Sequence, residues 1–272
     1  MNTLNANQNK QQGVLFVSHG GGPLPLLGHP SHWDMLDTFR QIKQQLTKPK
    51  NILLLSAHWE SDCFEIQNNE NPALIYDYSG FADEAYQISY PAAGDTELAQ
   101  QVKSQLDKAG LPTRYNASRG YDHGMFVPLK LLWPEADVPV VQVSLQQHLN
   151  PQQHIKLGES LKVLREQGTL IIGSGFSFHN LNVFMRNNNM LTQQADAFHH
   201  WLDRRMSSND WDYQQAKSDL IDWQQAPSAQ FNHPREEHLL PLHVCFGAAQ
   251  TPAEQVFKFT LNNWPARCYL WR

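Results

Sequence analysis

The sequence predicts an α/β protein, with a mainly parallel central sheet flanked by helices in a single domain. Two observations carry this. Short apolar runs that read as buried strands alternate with amphipathic segments at helical spacing, the pattern of a parallel sheet covered on both faces. The 272 residues hold neither an internal repeat nor a low-complexity linker, and 41% hydrophobic against 17% charged content suits one sizeable core.

The elements follow in order. Met1 to Gln12 is polar and rich in Asn and Gln, without the apolar centre of a signal peptide, so residues 1–12 read as a disordered tail ahead of a domain over 13–272. Val14 to Val17 is the first strand run, ended by the permissive loop Gly20-Gly21-Gly22-Pro23. Met35, Leu36, Phe39, Ile42 and Leu46 then recur at helical spacing, with Ser31 as N-cap. Ile52 to Leu55 is the next strand. Pro72 to Gly94 is long and crowded with Tyr76, Tyr78, Phe81, Tyr86 and Tyr90, more than a connector needs and typical of an active-site cover.

Asp95 caps a helix with Leu98, Val102 and Leu106 inside, and Gly110 stops it. Val138 to Leu145 reads as a strand. Asn150-Pro151 opens a helix carrying Ile155, Leu161 and Leu164, closed by Gly168, and Leu170 to Ile172 runs at once into Gly173-Ser174-Gly175. Leu191, Ala195, Phe198 and Leu202 mark another amphipathic helix. Val256 to Phe259 and Cys268 to Trp271 add strand pairing at a sheet edge.

A net charge of -5 gives no basic face and argues against nucleic acid as partner. No apolar stretch reaches the ~20 residues that cross a bilayer. Cys63, Cys245 and Cys268 are odd in number and far apart, which argues against a disulfide framework and makes a reduced, cytoplasmic setting the default.

The chemistry lies in the histidines. His19 follows the first strand run in a glycine-rich loop, His58 follows Ile52 to Leu55, and His179 comes seven residues after Ile172. Three such placements at the carboxyl edge of one sheet point to a ligand crevice. His123, in Asp122-His123-Gly124, is either functional or a turn residue with Asp122 capping the next helix. His238, after Glu236-Glu237, is either functional or a solvent-exposed helix start. His29, His32, His148, His154, His199, His200 and His243 keep structural readings, and the loop setting of His233 says little. Three neutral imidazoles can hold a divalent ion and leave positions open. Two more can act as general base and hydrogen-bond donor. Imidazole suits iron, zinc, copper and nickel alike, so the residues alone specify a metal-dependent hydrolase or oxygenase.

Seven segments in order carry a resemblance: Ser18-His19-Gly20, Ser56-Ala57-His58-Trp59, Asp77-Tyr78-Ser79-Gly80-Phe81, Tyr90-Pro91-Ala92-Ala93-Gly94, Asp122-His123-Gly124, His179-Asn180-Leu181 and Glu237-His238-Leu239-Leu240-Pro241-Leu242. Together, from about residue 14 to the C-terminus, the chain resembles the class III extradiol ring-cleavage dioxygenases, in the branch typified by DOPA 4,5-dioxygenase. The resemblance implies a single catalytic domain and one mononuclear non-haem Fe(II), with Zn(II) able to replace it in purified protein. It also implies a DOPA-like catechol and O2 as small-molecule partners. By position, His19, His58 and His238 match the metal ligands. His179 matches the acid/base residue, close enough to serve as a fourth ligand, and His123 the histidine that bonds the reacting oxygen. The loop from Tyr76 to Tyr90 is expected to border the ring pocket.

Better-known members complete the site with a carboxylate, so Glu236 or Glu237 is the alternative to His238 as third ligand. The main rival function is a zinc-dependent hydrolase on the same scaffold. A non-catalytic relative should lack some of the five histidines, and this chain keeps all five.

Overall fold

The computed structural model describes residues 11–184 and 189–272. Among them eight strands form one sheet: β1 (Val14–Ser18), β2 (Asn51–Ser61), β3 (Phe64–Gln67), β4 (Thr113–Asn116), β5 (Val140–Gln146), β6 (Thr169–Gly175), β7 (Gln255–Leu261) and β8 (Trp264–Trp271). Their order is β4-β3-β5-β2-β6-β1-β8-β7. The central four, β5-β2-β6-β1, run parallel. β8 joins β1 antiparallel and pairs with β7, so the C-terminal hairpin extends the edge as the sequence predicts. On the other side β3 meets β5 antiparallel, with β4 parallel to β3. β3 and β4, four residues each, are too short to stand out in the sequence.

The same described residues form the helices α1 (Trp33–Gln45), α2 (Thr96–Lys108), α3 (His123–Leu132), α4 (Pro151–Leu161), α5 (Leu181–Phe184), α6 (Asn189–Ser207), α7 (Tyr213–Ile221), α8 (Ala229–Asn232) and α9 (Leu240–Ala249). Side chains alternate across a strand, and here both faces are covered. Val14, Phe16, Leu53, Leu55, Val141 and Ile171 pack against α2, α4, α6, α7 and α9. Leu15, Val17, Ile52, Leu54, Leu170 and Ile172 pack against α1 and α3. Among the described residues no helix is long and apolar enough to cross a membrane. All three cysteines are free.

Asp95 and Asn150 cap their helices as expected, accepting from Leu98 N at 2.8 Å and Gln153 N at 3.0 Å. Ser31 does not. It lies in a 3-10 turn, Pro30–His32, and its hydroxyl is taken by His29 Nδ1 (2.7 Å) and His32 Nδ1 (2.9 Å). Leu164 also falls outside the α-helix, in a 3-10 turn over Lys162–Gln167 that ends at Gly168. Of the expected polar tail, residues 1–10 lie outside the described residues, while Gln12 N donates to Arg165 O at 3.0 Å.

This topology sets the site. β1 and β2 flank β6, yet α1 leaves β1 onto one face while α4 enters β6 from the other. A crevice therefore opens at the carboxyl ends of β1, β6 and β2. The turn before α9 closes onto β6 there, because β6 carries glycine where backbone meets backbone. A Cβ on Gly175 would stand 2.1 Å from His238 O, and one on Gly173 2.4 Å from Pro241 O. Phe176 N fastens the contact by donating to His238 O at 3.0 Å. Gly175→Ala is therefore expected to cost at least the ~1–3 kcal/mol of an overpacked core. Denaturant unfolding checks this, and an unchanged midpoint would show that the His238 turn is not seated on β6.

Candidate metal centre

Each of the five histidines is placed by a different element. His19 follows β1 directly, and its N–H donates to Gly175 O at 3.0 Å. His58 sits within β2, where pairing with β5 shifts register between Leu55 and Glu60, and so not in a loop beyond the strand. A buried polar clamp fixes that bulge. Ser56 Oγ accepts from His58 N (3.2 Å) and donates to Asp122 Oδ1 (2.7 Å). Asp122 also accepts from Gln142 Nε2 and from Arg119 Nη2 (3.1 Å), and Arg119 donates in turn to His58 O (3.1 Å). Asp122 thus precedes α3 without capping it through its side chain, contrary to the turn reading. His123 opens α3, and Gly124 beside it leaves room for the clamp: a Cβ there would lie 2.4 Å from Ser56 Oγ.

His179 is held by its neighbours' backbone. Its N–H donates to Asn232 O (2.9 Å) and Asn180 Nδ2 to Phe231 O (2.7 Å), while Phe178 stacks on Trp264 at 4.4 Å. His238 occupies the turn before α9 and is buried, unlike the exposed helix start weighed from the sequence.

The rings converge. Centroid separations are 4.9 Å for His19–His58, 5.4 Å for His19–His238, 4.9 Å for His58–His238, 3.9 Å for His58–His123 and 3.5 Å for His179–His238. They surround a cavity of about 130 Å³ whose remaining walls are Gly20 to Gly22, Phe176, Leu181 and Phe184. Its size and apolar walls suit one small ring-shaped molecule, well below the range for drug-sized ligands.

Hydrogen bonds decide which nitrogen each ring offers. Ser174 Oγ gives its proton to Gly124 O, so it accepts from His19 Nδ1–H at 3.0 Å. Asp77 Oδ1 accepts from both His123 N (3.0 Å) and His123 Nδ1 (2.8 Å), and Asp77 Oδ2 lies 3.8 Å from His58 Nδ1. Glu237 Oε1 faces Nδ1 of His238 (2.9 Å) and of His179 (3.1 Å). With the protons on Nδ1, the Nε2 lone pairs of His19, His123, His179 and His238 are left for the cavity.

Burial, followed by repulsion between the imidazoles, drives the pKa of His19 and His238 well below the usual value. The same causes, burial first, lower that of His58 to about 4. All three are neutral at pH 7. Burial opposes ionisation of Asp77 and Glu237, but hydrogen bonds from His123 and His179 outweigh it and hold both carboxyls below their usual range.

This donor set fits a divalent transition metal. His19 Nε2 and His58 Nε2 lie 3.1 Å apart. Two nitrogens on one tetrahedral ion, each at ~2.0–2.1 Å, would be roughly 3.3 Å apart. Two bare lone pairs at that distance repel unless a cation lies between them. His19, His58 and His123 bring ligand atoms within 4.8 Å of one another, as do His179, Glu237 and His238. Neither Glu236 nor Glu237 lines the cavity.

Several residues here were outside sequence reasoning. Ser174, Asp77, Arg119 and Gln142 act only through contacts between distant segments, although Asp77 stands in a segment singled out above. The aromatic loop differs from expectation in one respect. It braces His123 through Asp77 and through Tyr78, whose ring lies 5.8 Å away, but contributes no wall of the cavity. The other histidines are structural or exposed. His154, His199, His233 and His243 are buried and bonded to backbone carbonyls, and His32 accepts from Gly21 N at 3.0 Å. His29, His148 and His200 are exposed.

Comparison with known proteins agrees with this picture. Residues 14–264 match the protein family described as the catalytic LigB subunit of aromatic ring-opening dioxygenase. The dioxygenase tasH of Hapsidospora irregularis is 37% identical over 256 residues, spanning 87% of this chain and 78% of its own. The 4,5-DOPA dioxygenase extradiol of Beta vulgaris is 37% identical over 237 residues, 87% of this chain and 86% of its own. That of Mirabilis jalapa is 32% identical over 257 residues, 94% and 92% of the two chains. The crystal structure of an uncharacterized Escherichia coli K12 protein shares the fold, with a TM-score of 0.75 at 22% identity, covering 96% of this chain and all of that one.

The buried structural histidines give a pH signature. Burial lowers His154 to about 4, and His199 and His233 to about 3. They are neutral in the fold while the unfolded chain protonates near 6.5, so below pH 6.5 the unfolded state binds more protons. Stability of the metal-free protein is expected to hold above pH 7 and fall steadily from 6.5 toward 4. Denaturant midpoints across that range check it, and a flat profile would contradict the burial of these rings.

Proposed function

The chain belongs to the family of the catalytic LigB subunit of aromatic ring-opening dioxygenases, and from that premise we propose that it cleaves a catechol-type, DOPA-like diol in the extradiol manner. It is an extradiol aromatic ring-opening dioxygenase. Its co-substrate in this reading is O2, its metal one non-haem Fe(II), and its setting the cytoplasm. The observation that carries the reading is the convergence of five imidazoles on one small cavity, with Nδ1 of His19, His123 and His238 bound to oxygen acceptors and Nδ1 of His179 facing Glu237. His19, His58 and His238 would hold the ion through Nε2. Zn(II) fits the same imidazole donors but has no redox chemistry, so Fe(II) is the working ion and zinc an inhibitory substitute.

Held there by His19, His58 and His238, Fe(II) would supply the redox capacity that ring opening with O2 needs. The chain's own groups do the rest. Phe176, Leu181 and Phe184 give the ring an apolar slot. His179, with its Nδ1 on Glu237, turns a bare Nε2 to the cavity as general base for a catechol hydroxyl proton. His123, held by the Asp77 carboxylate on Nδ1, turns Nε2 to the cavity as the hydrogen-bonding partner of the reacting oxygen. The hydrolase alternative draws no support from the family match, which describes ring opening.

The test is anaerobic loading with Fe(II), then oxygen uptake with a panel of catechols. The loaded chain is expected to consume O2 and form a yellow ring-opened product, while the zinc-loaded chain does not. His179→Ala and His123→Ala should retain metal and lose about a hundredfold or more in turnover. Substitution of His19, His58 or His238 by Ala should instead abolish metal retention. Oxygen-independent turnover by the zinc form would favour the hydrolase.

A further inference from the structure

We propose that Glu237 is a positioning residue in which one carboxylate oxygen fixes both the metal-holding His238 and the proton-handling His179. The roles of these two histidines rest on the functional reading above; the geometry stands independently of it. Glu237 Oε1 lies 2.9 Å from His238 Nδ1 and 3.1 Å from His179 Nδ1. The two rings are stacked, with centroids 3.5 Å apart and planes 17° from parallel.

Stacked imidazoles that turn the same edge toward one oxygen also present their opposite edges together. Glu237 therefore sets the Nε2 direction of both rings at once. Neither ring can flip about its Cβ–Cγ bond without taking Nδ1 away from Oε1, and neither can tilt without leaving the stack. A carboxylate oxygen with two lone pairs can face both Nδ1–H groups, which the single lone pair of a neutral imidazole could not.

The far side of the carboxylate explains how so buried an anion is kept in place. Oε2 has no hydrogen bond, but Arg235 Nη1 lies 3.4 Å away. Arg235 is itself held by a bidentate pair to Glu60, at 2.6 and 2.5 Å. A buried carboxylate is costly unless compensated. This one has the His238 N–H donor and the close His179 ring on one oxygen and a guanidinium near the other. Glu237 thus couples through His238 to the metal and through His179 to substrate, touching neither.

The experiment uses the full chain with Co(II) and Zn(II) as probes. In metal-free wild-type protein, 15N NMR should show His179 and His238 both protonated at Nδ1. Glu237→Leu removes the acceptor, and Glu237→Gln keeps an oxygen without the charge. Both are expected to weaken Co(II) and Zn(II) binding, by about 10–100-fold for the Leu variant. Both should also alter the Co(II) absorption spectrum and release the histidines into mixed tautomers. At saturating Fe(II), kcat should fall more than KM for catechol changes. If the Leu variant does not fold, the Gln variant decides.

The proposal is overturned if either wild-type ring is protonated at Nε2, or if the folded variants bind Co(II) with wild-type affinity and spectrum. A wild-type chain with both tautomers as expected, metal bound and no oxygen uptake with any catechol would sink the functional reading while upholding Glu237.

Discussion

Five imidazoles around one small cavity repel one another as soon as they are charged, and compete for protons when they are not. The arrangement persists only if every ring is neutral or individually compensated, and if each Nδ1–H has an acceptor outside the ring of histidines. The structure comes close to that constraint by setting an oxygen acceptor or carboxylate beside each ring or pair of rings, although at 3.8 Å Asp77 is beyond hydrogen-bond reach of His58 Nδ1. Ser174 serves His19, Asp77 serves His123 and lies near His58, and Glu237 serves His179 and His238. Burial then keeps His19, His58 and His238 uncharged. Fold and chemistry meet here: the same contacts that make the cluster tolerable direct its Nε2 atoms inward.

The sheet makes these contacts available. Parallel strands β1, β6 and β2 end side by side, so His19, the segment carrying His179 and the bulge carrying His58 start from a common edge. The two remaining histidines arrive from helix starts pressed onto that edge. Their approach is close because Gly124 and Gly175 stand where any side chain would collide with backbone or clamp. Long-range polar links replace local capping at these points. Asp122 is the clearest case, since it stands at a helix start yet spends its carboxylate on the β2 bulge.

The parts of this that the sequence made legible are those governed by local periodicity and by residue type. Apolar runs marked β1, β5 and β6 and the start of β2, and the Asp95 and Asn150 caps marked α2 and α4. The histidines stood out because loops give them no packing role. What stayed hidden depends on pairing between distant segments. The extension of β2 through His58 arises from a register shift against β5 and has no local signature. The failure of Ser31 as a cap follows from His29 and His32 competing for its hydroxyl. Glu237 looked like a ligand candidate because a carboxylate next to a histidine is ambiguous until the partner of each oxygen is known.

The placement of negative charge follows from the same logic. In the proposed reading the ion is bound by imidazoles alone, and Asp77 and Glu237 act one ring further out. A carboxylate bound directly would sit ~2 Å from the ion, whereas one bonded to Nδ1 stands roughly 6–7 Å away, so its Coulomb attraction is about threefold weaker. The ion would keep most of its double charge for an anionic catecholate, while the carboxylates still orient the rings. The aromatic loop earns its length in this scheme. It delivers Asp77 to His123 and is held around a 3-10 turn, Asp83–Gln87, because Tyr76 and Tyr78 donate to its own carbonyls, at Ile88 (2.7 Å) and Ala85 (2.6 Å), while Tyr90 anchors it to Trp133 O (3.1 Å). A shorter connector could cross the same gap, but it could not carry a carboxylate to the outer edge of His123 and satisfy its own backbone there.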